Sequence, residues 1–179
     1  MALPLFTLSL ILGLLLAEAR LSSRHEAELR RRGAVEQKGD VYAAMAIAYP
    51  LAFLAMGIEG AARWRGAGDG GLGAGMFLSG ALLFVASKAL KYWAIGALGS
   101  RWTFRVLVLP GVPLVSTGPY RYVAHPNYVA VIGELLGTAM MMQAEITGPV
   151  ALVLFGTLLV MRIRFETRAL RATYGKIDG

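Results

Sequence analysis

Apolar residues in this chain occur in long runs, not at the two-residue or 3.6-residue periods that mark half-buried strands and helices. Five runs stand out, at residues 2–17, 41–62, 72–95, 126–142 and 146–161, and the segments between them carry most of the charge. Spanning a bilayer as a helix takes about 17 to 25 residues, so several runs are near the lower limit. Arg20, Lys88 and Arg162, at or near run ends, are therefore expected to snorkel towards the headgroups. The pattern predicts an all-α, polytopic transmembrane bundle of about five spans.

Composition agrees. Of 179 residues, 56% are hydrophobic and only 16% charged, which is too apolar for an ordinary soluble domain. With no cysteine and two histidines, disulfides, thiolate chemistry and a protein metal site are not expected. A net charge of +7 would suit nucleic acid in a soluble protein, but in a membrane chain it reads as arginine and lysine kept on the cytoplasmic side, and no nucleic-acid partner is expected.

The charge also orients the spans. Ala17-Glu18-Ala19 has the small-x-small form of a signal-peptidase site, yet no Lys or Arg precedes the first run while Arg20, Arg24, Arg30, Arg31 and Arg32 follow it, the reverse of a secretory signal. The first run is thus expected to be a retained helix with its N-terminus outside and, by alternation, the C-terminus cytosolic. Arg63 and Arg65 are then the outward cations. The whole chain, 1–179, reads as one integral membrane domain, with N-terminal spans in 1–95 and a candidate ligand-binding core in 96–179.

Between the first two runs, residues 18–40 predict an interfacial or cytosolic helix with a Glu26 to Arg30 pair at i,i+4, His25 on a solvated face and Gly33 as its stop. The glycine-rich stretch at 68–75 resembles a nucleotide-binding loop, but no strand precedes it, so it reads as a connector whose glycines continue into the third span and allow close packing. Gly96, Gly99 and the turn at 109–114 read as loop punctuation.

The chemistry concentrates in TGPYRYVAHPNYVAVIGELLG, residues 117–137. Gly118-Pro119 makes a turn, His125 is held extended by the proline after it, and Pro126 suits the first position of a helix. Helix-terminal amides, Arg121, His125 and the tyrosines Tyr120, Tyr122 and Tyr128 thereby meet at the membrane surface, an arrangement suited to a carboxylate or phosphate beside an aromatic wall. Deeper in the same helix Glu134 shares a face with Asn127 and reads equally as a buried hydrogen-bonded acid or as a functional group. At 1.5 Å per residue it lies ~13 Å beyond His125, so glutamine there is expected to be tolerated and leucine to destabilise. The last run ends in RIRFETRAL, with Arg162 and Glu166 four residues apart, and the short connection at 143–147 makes the last two spans a hairpin. Arg121, His125, Arg162 and Glu166 are then expected to line one pocket.

These two stretches, with five spans, resemble the isoprenylcysteine carboxyl methyltransferase family of integral membrane S-adenosylmethionine enzymes, most closely its bacterial branch, over roughly residues 85–175. His125, Pro126 and Tyr128 match the family's His-Pro-x-Tyr motif, and Glu166 matches the first of its two C-terminal glutamates. The chain departs from the pattern at Ala124, where the family usually has arginine, at Thr167, in place of the second glutamate, and in stopping at Gly179 before a tyrosine-rich tail. The resemblance implies S-adenosylmethionine as cofactor, held by Tyr120, His125, Pro126, Asn127, Tyr128 and Glu166. It implies catalytic roles for Arg121, Arg162 and Glu166, and O-methylation of a lipid-like acceptor, either an isoprenylcysteine-type carboxylate or a phenolic or pyrone lipid. The implied location is a bacterial inner membrane with the site facing the cytoplasm. An NADPH-dependent sterol-type reductase, which carries a similar His-Pro stretch, and a non-enzymatic membrane module are the alternatives.

Overall fold

The structure, a computed structural model, describes residues 2–37, 39–66 and 73–174. Among the described residues, five α-helices form an up-and-down bundle: α1 (Ala2–Arg31), α2 (Tyr42–Gly66), α3 (Ala74–Leu98), α4 (Pro126–Met142) and α5 (Thr147–Tyr174). Four of them are long and apolar enough to cross a membrane. The fifth, α4, has 17 residues and a length of ~26 Å, and it packs against α2, α3 and α5. The glycine-rich segment at 68–72 lies outside the described residues.

Helices in lipid gain little from hydrophobic exclusion, so close backbone approach matters. The α3–α4 contact shows this most clearly. A Cβ on Gly80 would stand 2.6 Å from the Gly137 carbonyl oxygen, and one on Gly137 would stand 2.8 Å from the Gly80 carbonyl oxygen. Small residues in the third span do bring the backbones together, as the sequence suggested. Around this seam Phe53, Met56, Leu135, Met142 and Phe155 form the apolar core. At the end of the bundle where α5 begins, Glu59 of α2 accepts hydrogen bonds from the backbone N–H groups of Ile146 and Thr147, supplying a cap that α5's own sequence lacks.

At the opposite end the chain departs from several expectations. The segment after the first run is no separate helix, because α1 continues unbroken to Arg31 and stops where Gly33 takes φ +85°. Glu26 does not pair with Arg30. It accepts from Ser22 and lies 3.4 Å from Arg105, while Arg30 binds Glu36. His25 is half-buried and donates through Nδ1 to the Trp102 carbonyl at 2.8 Å. Gly96 lies within α3, whose C-cap is Gly99 at φ +56°. A two-residue strand β1 (Val35–Glu36) pairs antiparallel with β2 (Leu107–Val108), tying the α1 extension to the long connection between α3 and α4. Hydrogen bonds from Arg30 and then Arg105 hold the Glu36 carboxyl below its ordinary 4.5.

Lys88 and Arg162 do not snorkel. Lys88 and Lys91 of α3, Glu18 of α1 and Glu134 of α4 close a four-membered ion-pair ring inside the bundle: Lys88 Nζ is 2.5 Å from Glu18 and 2.9 Å from Glu134, and Lys91 Nζ is 3.1 Å and 2.6 Å from the same two carboxylates. Tyr49 of α2 donates to Glu134 at 2.9 Å. All four charged side chains are at least 92% buried. Hydrocarbon cannot solvate any of them, so each turns to an opposite charge instead of reaching for a distant headgroup.

Candidate active site

The two ends of the 99–125 connection place the site. After Gly99 the chain runs across the mouth of the bundle and is pinned at four points: Ser22 accepts from the Phe104 N–H at 2.8 Å, His25 from α1 bonds Trp102, the Trp102 indole lies 3.4 Å from Asn127 Oδ1, and Arg162 Nη2 donates to the Phe104 carbonyl at 2.6 Å. The Gly118–Arg121 turn, a single 3₁₀ turn with Pro119 buried beneath it, then delivers Tyr120 and the His125-Pro126 junction. Gly118 is required there: it has φ +61°, and a Cβ would lie 2.8 Å from Ala97.

Under this cover lies a cavity of about 780 Å³, within the range of small-molecule sites. Its mouth is lined by Tyr120, His125, Pro126, Asn127, Tyr128, Arg162 and Glu166, together with Arg101, Trp102 and Arg105 from the covering segment. Inside, it runs between α1 and α2 along Leu12, Leu15, Leu16, Met45, Ala46 and Pro50, and it reaches Glu18, Tyr49 and Lys91 of the buried ring. One space therefore joins a charged, aromatic mouth to an apolar interior.

At the mouth, Tyr128 is the connecting piece. Its hydroxyl donates to Glu166 and accepts from Arg162 Nε at 3.3 Å, and its ring stacks on His125 with centroids 5.3 Å apart. His125 Nδ1 lies 3.9 Å from Glu166. Arg162 and Glu166 thus meet through Tyr128. Arg162 is otherwise spent on Asp40 and the Phe104 carbonyl, which makes it the strut that fastens the cover to α5. Burial, and next the charge of Glu166, hold the Tyr120 hydroxyl well above the usual phenol range, so it stays a hydrogen-bond donor at neutral pH.

Of the residues singled out from sequence, Tyr120, His125, Pro126, Asn127, Tyr128, Arg162 and Glu166 all line this one cavity. Arg121 does not. It is exposed, with its guanidinium 6.0 Å from the Tyr122 ring, because the 3₁₀ turn that buries Pro119 and sends Tyr120 to the cavity leaves Arg121 and Tyr122 outside. Arg101, Arg105 and Trp102 escaped sequence reasoning, since the segment that holds them has no periodicity to betray a face. Glu134, ~13 Å beyond His125 along its helix, is linked to the cavity through its partners. Its own side chain is behind the wall, but its partners Tyr49 and Lys91 are part of the lining.

The helices and the pocket define the class in outline: an integral membrane protein with a polar pocket at one end of its bundle and an apolar extension into it. Comparison with known proteins supplies the family: residues 80–172 match the model of the isoprenylcysteine carboxyl methyltransferase (ICMT) family, and the chain belongs to it. It is a membrane methyltransferase. Among its relatives, the uncharacterized protein YpbQ of Bacillus subtilis is 32% identical over 155 residues, covering 87% of this chain and 89% of that one. An uncharacterized protein of Haemophilus influenzae is 27% identical over 95% of this chain and 96% of its own length. No solved structure matches the chain.

Proposed function

We propose that this protein transfers a methyl group from S-adenosylmethionine to an oxygen of a lipid-like amphiphile, at an end of the bundle that faces the cytoplasm of a bacterial inner membrane. The observation that carries this reading is the single cavity joining the His125–Tyr128–Glu166 mouth to the apolar passage between α1 and α2. A polar donor enters such a space from water and an amphiphile enters it from lipid.

The side chains at the mouth fit the donor's chemistry. Glu166 offers a carboxylate to the donor's cationic groups, the stacked His125 and Tyr128 rings and Tyr120 offer flat surfaces and hydrogen bonds to its adenine, and Arg101 offers a guanidinium to its carboxylate. When bound, the donor supplies an electrophilic methyl on a sulfonium. The chain's contribution is then positional. Tyr128 fixes the Glu166 carboxylate through a hydrogen bond, Arg162 fixes Tyr128, and the 99–117 cover excludes water, so the acceptor oxygen is aligned in a desolvated space. A carboxylate acceptor needs no base. For a hydroxyl acceptor, Glu166 and His125, 3.9 Å apart, are placed to take the proton.

Isothermal titration with S-adenosylhomocysteine and, separately, NADPH tests the reading. Binding of the first and not the second is expected, with His125→Ala and Glu166→Ala each weakening it about ten- to a hundredfold, as for the loss of a charge-assisted hydrogen bond of about 1.5 to 3 kcal/mol. Arg121→Ala should leave affinity unchanged. Full-strength binding by both pocket variants would remove the site, and binding of NADPH alone would restore the reductase reading.

A further inference from the structure

The buried ring is more than a fastening between helices, because one side of it is a wall of the cavity. Lys91, Glu18 and Tyr49 line that space together with aliphatic residues of α1 and α2. A polar group that borders an otherwise apolar space costs free energy unless something there meets its hydrogen-bonding capacity.

The hydrogen-bonding capacity left on this wall can be counted. Lys91 has three N–H donors: one goes to Glu18, and its ammonium lies 2.6 Å from Glu134 Oε1, so at least one donor is left. Tyr49 gives its proton to Glu134 and keeps lone pairs for a donor. One turn before it, the Ala46 carbonyl has no helical i+4 donor, because Pro50 lacks an N–H, and both Ala46 and Pro50 line the cavity. The lining thus offers a donor on Lys91 and acceptors on Tyr49 and Ala46. The ring's charge is balanced, two ammonium groups against two carboxylates, so it has no net attraction for an anion. The group that satisfies it is uncharged and both donates and accepts.

Resting on the acceptor reading above, we propose that the amphiphile carries, along its aliphatic part, a hydroxyl that docks between Lys91, Tyr49 and the Ala46 carbonyl. Glu134, which holds both Lys91 and Tyr49, lies nine residues beyond His125 in α4, so this hydroxyl sits ~13 Å from the mouth, well away from the oxygen that is methylated. The ring and Tyr49 are positioning residues that select the acceptor by the oxygen on its chain.

The probe is a series of 4-alkylphenols of one chain length, unsubstituted or with one hydroxyl stepped along the chain, offered to the full-length protein in lipid nanodiscs. Two readouts are taken: labelled methyl transfer from S-adenosylmethionine, and competition against a fluorescent alkylphenol. The wild type should favour one hydroxyl position over its neighbours by about three- to tenfold in both KM and binding, as one or two net hydrogen bonds give. Tyr49→Phe, which keeps the ring between Phe53 and Phe155, should flatten that preference. A flat profile in the wild type, or a preference that survives Tyr49→Phe undiminished, overturns the subsite, as does a preference for a ketone over the hydroxyl at the same position. Selective binding without methyl transfer keeps the subsite and removes the reaction assigned to the mouth.

Discussion

Replacing Glu134 by glutamine removes one charge and no volume, and the ring predicts a severe result. The carboxylate contacts Lys91 at 2.6 Å, Lys88 at 2.9 Å and Tyr49 at 2.9 Å, and the side chain is fully buried. Without it two ammonium groups face Glu18 alone, leaving a net positive charge in the bundle. At an effective dielectric of about 20, a unit pair ~3 Å apart is worth about 5 to 6 kcal/mol; relief of the carboxylate's own desolvation offsets part of this, and broken buried pairs typically cost about 3 to 5 kcal/mol. Glutamine, which seemed tolerable from sequence alone, is therefore expected to be nearly as damaging as leucine. The compensating test is Lys91→Met with Glu134→Leu, which restores balance and keeps the 2.5 Å Glu18–Lys88 pair. Unfolding free energies from detergent–SDS titration across wild type, both singles and the double should give a coupling of about 2 to 3 kcal/mol in favour of the double. A Glu134→Gln protein within about 0.5 kcal/mol of wild type, or a double no better than the sum of its singles, would refute the closed ring.

Two further predictions concern packing and pH. Gly80→Ala should lower the thermal midpoint in detergent by forcing α3 off α4, since the new methyl would lie 2.6 Å from a backbone oxygen; Gly75→Ala, which meets nothing within 4 Å, is the control and should be silent. Glu36, whose carboxyl is held below 4.5 by Arg30 and then Arg105, favours the folded ribbon at pH above that ordinary value, and its contribution fades as pH falls through the lowered one. Amide exchange at Gln37, whose N–H bonds the Val106 carbonyl, should show extra acid-side opening that Glu36→Gln abolishes, while equal pH dependence in both proteins would contradict the assignment.

The bundle was legible in the sequence because lipid leaves few choices: long apolar runs must become helices, and 126–142 appeared with the same limits in both. The mouth was legible in part. Pro126, the Gly118-Pro119 turn and the i,i+4 spacing of Arg162 and Glu166 are local signals, and the short connection at 143–147, which folds α4 and α5 into a hairpin, let His125 and Tyr128 be expected beside Glu166, 38 residues on from Tyr128. Arg121 failed by the same rule, since one 3₁₀ turn reverses which neighbour faces inward and adjacency does not report it. What tertiary structure alone decided is the long-range pairing. Glu18 lies 70 residues before Lys88 and is hydrogen-bonded to it, Tyr49 is 85 residues from Glu134, and Asp40 is 122 from Arg162. Glu134, Lys88 and Arg162 were read as costly in hydrocarbon, but which opposite charge relieves that cost depends on how four helices rotate about their axes. That rotation is set by backbone contact at Gly80 and Gly137 and by side chains from every helix at once, a many-body condition that no window of sequence contains.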